Sequence, residues 1–296
     1  MSSKQVALYG LGNMGYLIAE RLAAHFPLRV ADLNTEAVNK ARTSLGVQSV
    51  DSPADVADVD VVVLCLPSPA ASQSVLRSIA PHLPKTAVVV ETSTVNPSDI
   101  HAEAALLAPY DIPLIDASVM AGVSQMAAGT AMLLVGGEDA AYAACEDVLN
   151  AIAAKCIRFG PSGAGAAAKV INNAVAHAVM VVVAEAGSLA TAAGVDCSKL
   201  VALLSDPQMG LHRPLTHRYA ERVMQGNYAG GMPLEAARKD SVLALELAQS
   251  LGVPLFAIQG SHSVYEMAQR AGYGRDDYAA IAKLWSDWGR PAVPEN

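Results

Sequence analysis

The stretch from Gly160 to Val195, GPSGAGAAAKVINNAVAHAVMVVVAEAGSLATAAGV, constrains this chain most. Gly160, Pro161, Ser162 and Gly163 read as a loop and a helix start. About thirty residues then follow without proline and almost without charge, which predicts a helix about 45 Å long at about 1.5 Å per residue. Apolar residues fall all round it, so the pattern predicts burial on nearly every side. Lys169 and Asn173 lie one turn apart on this surface and are therefore neighbours. A lysine in such a place snorkels to water, finds a partner or loses its proton easily. His177, Glu185, Ser188 and Thr191 interrupt every window of about twenty residues, and basic flanks are missing, which argues against a membrane span. His177 and Glu185, two turns apart, read as satisfied buried polar groups.

The 296 residues suffice for two cores, built from Ala, Val and Leu because aromatics are few. A net charge of −8 with no Lys/Arg cluster argues against nucleic acid as a partner. MSSKQVALYG passes from a short polar lead into a strand, so no signal peptide is expected. Cys65, Cys145, Cys156 and Cys197 form no C-x-x-C pair, which suggests reduced thiols in a cytoplasmic protein. No spacing of His, Cys or acidic residues has metal-ligand character, so no metal is expected.

Gln5 to Tyr9 is a short apolar run ending in Gly10-Leu11-Gly12-Asn13-Met14-Gly15, after which Leu17, Ile18, Leu22 and Ala23 repeat at helical spacing. This is G-x-G-x-x-G between a strand and a helix. Gly10 permits the tight turn, Gly12 the close approach of backbone to a pyrophosphate, and Gly15 close helix–strand packing. The helix N-terminus offers free N–H groups to the phosphates. Leu28 to Ala31 predicts a second strand, with Asp32 at its end. An acidic group there accepts hydrogen bonds from ribose hydroxyls and repels a 2′-phosphate; no arginine follows, so NAD is favoured over NADP. A helix N-cap is a compatible second role for Asp32. Strands are also predicted over Asp60–Leu66, Thr86–Val90, Ile112–Ala117, Thr130–Val135 and Cys156–Phe159. Loops at their carboxyl ends form the ligand crevice of an open α/β sheet, which brings Leu66, Pro67 and Thr94 to the cofactor. Thr94 reads equally well as a cap or turn residue.

Four blocks in order now resemble the β-hydroxyacid dehydrogenases, the family of 3-hydroxyisobutyrate dehydrogenase and tartronate semialdehyde reductase. They are GLGNMG at Gly10, DASVMAGVSQMAAGTAMLLVGG at Asp116, GAGAAAKVINN at Gly163 and RKDSVLALELAQSLGVPL at Arg238. The resemblance covers nearly the whole chain. It implies an α/β fold: a Rossmann-like dinucleotide-binding domain over residues 1–162, then an all-helical substrate and oligomerisation domain over 163–296, joined by the long helix. It implies NAD-dependent interconversion of a β-hydroxyacid of the 3-hydroxyisobutyrate type and its semialdehyde or keto form, with a homodimer or homotetramer as the assembly. It further implies Lys169 as the catalytic lysine, Asn173 as a substrate holder, and Lys239 and Asp240 lining the closed site. Lys239 has a cofactor contact or a solvated surface pair as its other readings.

One departure bears on the substrate. The family's loop usually reads D-x-P-V-S-G-G, whereas Asp116-Ala117-Ser118-Val119-Met120-Ala121-Gly122 puts Met120 at the serine and Ala121 at the first glycine. A thioether does not replace a hydroxyl donor, so either Ser118, Ser124 or Lys239 compensates or the substrate is bulkier or less polar at this end, and the latter is the expectation. Imine reductases share the architecture but usually lack a lysine at the position of Lys169. The decarboxylating 6-phosphogluconate enzymes have a much longer helical domain. A nucleotide-binding scaffold without turnover is the non-enzymatic alternative.

Beyond the long helix, helical patterns are predicted over Ser198–Leu204, Leu215–Met224, Pro233–Ser250, Pro254–Ala271 and Asp277–Trp288. The loop Asp206–Pro214 is a candidate selectivity element carrying His212 and Arg213, and PAVPEN reads as a loose end.

Overall fold

The computed structural model describes residues 4–289, so PAVPEN lies outside the described residues. The chain divides into two compact units, Met1–Ala174 and Val175–Asn296.

Among the described residues of the first unit, eight strands form one sheet: β1 Val6–Tyr9, β2 Leu28–Ala31, β3 Gln48–Ser49, β4 Val61–Leu64, β5 Val88–Glu91, β6 Leu114–Met120, β7 Met132–Gly136 and β8 Lys155–Gly160. Their order is β3-β2-β1-β4-β5-β6-β7-β8. All neighbours run parallel except β6 and β7. Helices α1 Asn13–Ala23, α2 Thr35–Leu45, α3 Pro69–Ile79, α4 Pro97–Leu107, α5 Val123–Ala127 and α6 Asp139–Ile152 connect them. Strands covered on both faces favour apolar residues throughout, which is why β4 and the first three residues of β1 and of β5 read as unbroken Val/Leu/Ala runs. Val6, Leu8, Val61, Val63, Val88 and Val90 pack one way with Ile18, Leu22 and Leu149. Ala7, Val62, Leu64 and Val89 pack the other way with Leu76, Ile79, Ile100 and Leu107. Chain order reverses between β1 and β4, which opens a crevice at the strands' carboxyl ends.

Helix α7, Ala164–Ala192, has 29 residues, and the division between the units falls within it. The expectation of burial all round is corrected: Ile171 is 64% exposed and Met180 63%, with Val175 and Val181 also exposed. A helix apolar on every side carries no mark of which face the same chain covers. His177 is exposed rather than buried. Glu185 is buried and satisfied, accepting the amides of Phe256, Ala257 and Ile258 at 2.7, 2.8 and 3.1 Å. These bonds hold its carboxyl below the usual range. Among the described residues, α7 is the one helix long and apolar enough to cross a membrane by length and composition.

The second unit continues with α8 Cys197–Ser205, a π-helical segment Pro214–Val223, α9 Leu234–Leu251, α10 Phe256–Arg270, a 3-10 turn Tyr278–Ala282 and α11 Lys283–Asp287. The π-helical segment replaces the ordinary helix that spacing predicts over Leu215–Met224. Its Arg218 and Arg222 meet the fully buried Asp277 at 3.2 and 3.4 Å.

Candidate cofactor and proton-transfer site

Glycine at three positions of the first βα turn builds the floor of the site. Gly10 has φ +101°, and a side chain there would collide with the Cys65 carbonyl oxygen. A side chain at Gly15 would strike the Gly10 carbonyl. Gly12 differs: a Cβ there meets no protein atom within 4 Å. No packing within the protein therefore demands glycine at position 12. Gly12 instead faces a cavity of about 670 Å³, which Gly10, Asn13, Met14, Gly15, Asp32, Leu66 and Pro67 also line. A concave space at the switch point, floored by glycine and by the start of α1, fits a dinucleotide.

Asp32 is fixed at the cavity wall. One carboxylate oxygen accepts the Leu11 amide at 2.6 Å and the other the Asn34 amide at 2.7 Å. The N-cap of α2 is Asn34, which accepts the amides of Glu36 and Ala37, so the capping role open to Asp32 is taken by its neighbour. Leu11 sends its side chain into the core. Leu66 is tied across the sheet by its amide, which donates to Ser93 Oγ at 2.8 Å. Thr94 is exposed, and Asn96 rather than Thr94 caps α4. Tyr9, Leu33, Ala71, Ser74 and Val75 also line the cavity; no sequence motif marked them.

The proton-transfer candidates gather where β6 meets α7. Asp116 is fully buried and accepts the amides of Gly163 and Ala166, both at 2.8 Å. That carboxylate caps the first turn of α7, whose N–H groups have no helical partner. Gly165 must be small, because a Cβ there would collide with the Leu134 carbonyl. One turn past this cap stands Lys169, half-buried, with its Nζ 3.8 Å from Met120 Sδ. Burial lowers the Lys169 pKa from its ordinary value. Asn172 Nδ2 also reaches Met120 Sδ, at 3.5 Å. Asn172 was not expected at the site; Asn173, the sequence candidate, is the partly buried residue next to it. Spacing of three and spacing of four both place a residue beside Lys169, so the sequence does not choose between them.

The loop after β6 offers few donors. Ser118 Oγ is buried within the sheet and has no hydrogen-bond partner. Ala121 packs against the core, and the Gly122 amide donates to Gln125 Oε1 at 2.8 Å. In the second unit, Lys239 and Asp240 are exposed on α9 and pair with each other at 3.0 Å. Arg213 borders a separate cavity of about 680 Å³ with His217, Arg218 and Arg222. Among the described residues no three His, Cys, Asp or Glu side chains gather as metal ligands.

Comparison with known proteins adds to this geometry. The family model described as the NAD binding domain of 6-phosphogluconate dehydrogenase matches residues 5–160. The model described as NAD-binding of NADP-dependent 3-hydroxyisobutyrate dehydrogenase matches residues 163–285. Mitochondrial 3-hydroxyisobutyrate dehydrogenase of Rattus norvegicus is 30% identical over 292 residues, 95% of this chain and 87% of that protein. A Mycobacterium tuberculosis 3-hydroxyisobutyrate dehydrogenase, solved with L-serine, is 25% identical with a TM-score of 0.66, covering 96% of this chain and 99% of that one. An imine reductase of Streptomyces aurantiacus has a TM-score of 0.84 at 20% identity, covering 95% and 99% of the two chains, a likeness of fold alone.

Proposed function

The chain belongs to the β-hydroxyacid dehydrogenase family, and from that premise we propose that it interconverts a β-hydroxyacid and its semialdehyde or keto form with Lys169 moving the proton. The observation that carries this reading is a half-buried lysine with a lowered pKa, one turn beyond a helix start pinned by Asp116. The nicotinamide cofactor, when bound, supplies the hydride acceptor or donor. Oxidation also requires a base within hydrogen-bond reach of the alcohol oxygen, and reduction requires an acid there. A lysine depressed by burial serves both directions: the free amine takes the hydroxyl proton, and the ammonium returns it to the carbonyl oxygen. Asn172 and Asn173 on the same helix orient the substrate oxygens. Lys239 and Asp240 are assigned to the closed site on the family resemblance.

NAD is the proposed cofactor. Asp32 favours free ribose hydroxyls over a 2′-phosphate, and Leu33 and Asn34 supply no cation. This stands against the NADP in the name of the second family model. The 1–162 segment is assigned to cofactor binding and 163–296 to substrate binding and assembly. The exposed apolar residues of α7 support a homodimer or homotetramer, and the cytoplasm is the proposed location.

The substrate is proposed to be a β-hydroxyacid less polar, or bulkier, at the end facing Met120. Met120 brings a thioether to that end, Ser118 is buried, and the Gly122 amide is already engaged by Gln125. Imine reductases share the fold, but Lys169 supports alcohol chemistry over theirs. A panel of β-hydroxyacids followed by NADH absorbance tests the proposal. Reduction of NAD by branched or apolar-substituted members is expected. NAD binding without reduction by any member would overturn it, and best turnover with glycerate would overturn the substrate class.

A further inference from the structure

Behind the cofactor cavity lies a cluster that the proposed chemistry does not use. Glu91 ends β5, Glu103 lies on α4 and Ser72 on α3, and all three are fully buried. Glu91 Oε1 accepts the Ser93 amide at 2.7 Å. Glu91 Oε2, both Glu103 oxygens and Ser72 Oγ have no hydrogen-bond partner. The groups facing the pair are Ser72, Asp99 of α4 itself, Cys65 after β4, and Asp116 beside Glu91 across the β5–β6 register. None of these four is a cation. Two carboxylates enclosed together without a cation cannot both stay ionised.

Two paths connect this pair to the cavity. Along the sheet, Glu91 holds Ser93, and Ser93 Oγ holds the amide of Leu66, which lines the cavity. Through the helix, Ser72 faces the pair while its neighbours Ala71, Ser74 and Val75 line the cavity. We infer that Glu91 and Glu103 form an acid pair sharing one proton, and that this pair positions Leu66 and α3 so that losing the proton weakens nucleotide binding. Glu103 is thus a positioning residue. The inference rests on the nucleotide occupying the cavity at Gly12.

Burial and the Glu91 charge push the Glu103 carboxyl from 4.5 up to about 8. Between those values the folded chain holds a proton that the unfolded chain lacks. Stability therefore falls as pH rises through that window and levels off above about 8.

The test measures NAD dissociation constants and Tm of the intact chain from pH 6 to 9.5, for wild type and Glu103→Gln, which mimics the protonated acid. Wild type is expected to bind NAD about fivefold more weakly at the alkaline end (about 1 kcal/mol). Glu103→Gln is expected to change less than twofold, to retain the wild-type affinity at pH 6 and to lose less Tm as pH rises. Equal alkaline weakening in both proteins would overturn the inference, as would a wild-type affinity that does not change. Infrared titration of wild type alone covers the case in which the variant does not fold. A buried protonated-carboxyl band should vanish in step with the loss of affinity, and its absence at neutral pH would overturn the inference. None of these readouts needs turnover, so failure of the acid pair is distinguishable from failure of the Lys169 proposal.

Discussion

Asp116 Oδ2 accepts the Ala166 amide at 2.8 Å, one helical turn before Lys169 on the same helix. The carboxylate also takes the Gly163 amide at 2.8 Å, so one buried side chain joins β6 to the start of α7. Asp116→Ala removes both bonds and leaves two helix-start N–H groups unpaired. The expected loss is about 2–4 kcal/mol, read by urea denaturation as a lower midpoint. Asp116→Asn keeps one amide acceptor and should lose roughly half as much.

Gly10 and Gly12 should fail differently when replaced by alanine. Gly10 combines φ +101° with the close Cys65 carbonyl, so Gly10→Ala should unfold at lower temperature before any ligand is added. Gly12 has open space around it. Gly12→Ala should keep the wild-type Tm and bind NAD at least about tenfold more weakly, about 1.4 kcal/mol. Calorimetry of both variants with and without NAD checks this. A Gly12→Ala protein with unchanged affinity would mean that the cavity does not hold the pyrophosphate at that point.

Met120 sets the third expectation. Its sulfur is the contact shared by Lys169 and Asn172. Met120→Ser replaces the thioether with a hydroxyl donor and should shift kcat/KM at least about tenfold toward small polar hydroxyacids relative to branched ones. The ratio of the two kcat/KM values is the readout, and an unchanged ratio would remove Met120 from substrate selection.

Much of the first unit was legible in the sequence because its signals are local. Buried parallel strands demand continuous apolar runs, and the φ of +101° at Gly10 and the Gly10 carbonyl against Gly15 are needs within the turn itself. β3, of two residues, is too short to leave a pattern, and nothing local marks β7 as antiparallel to β6. Asp116 meets amides 47 and 50 residues away, so its capping role exists only in the fold. Glu103 stands between Ala102 and Ala104 with no motif to mark it, and only the packing of the fold makes it a buried acid. The exposed flank of α7 is hidden from the sequence for the converse reason: composition records that a face is apolar, not what covers it.

The proposed chemistry depends on the Lys169 amine carrying the proton. Its pKa is lowered by burial, so hydroxyacid oxidation should rise with pH to a plateau whose midpoint lies below the ordinary lysine value of about 10.4. The most direct measurement compares Lys169→Ala with wild type in NAD affinity and in kcat for the best hydroxyacid. An NAD dissociation constant within about twofold of wild type and a kcat at least about a hundredfold lower are expected. A variant that keeps kcat within a few-fold, or that still shows the wild-type pH profile, would contradict it.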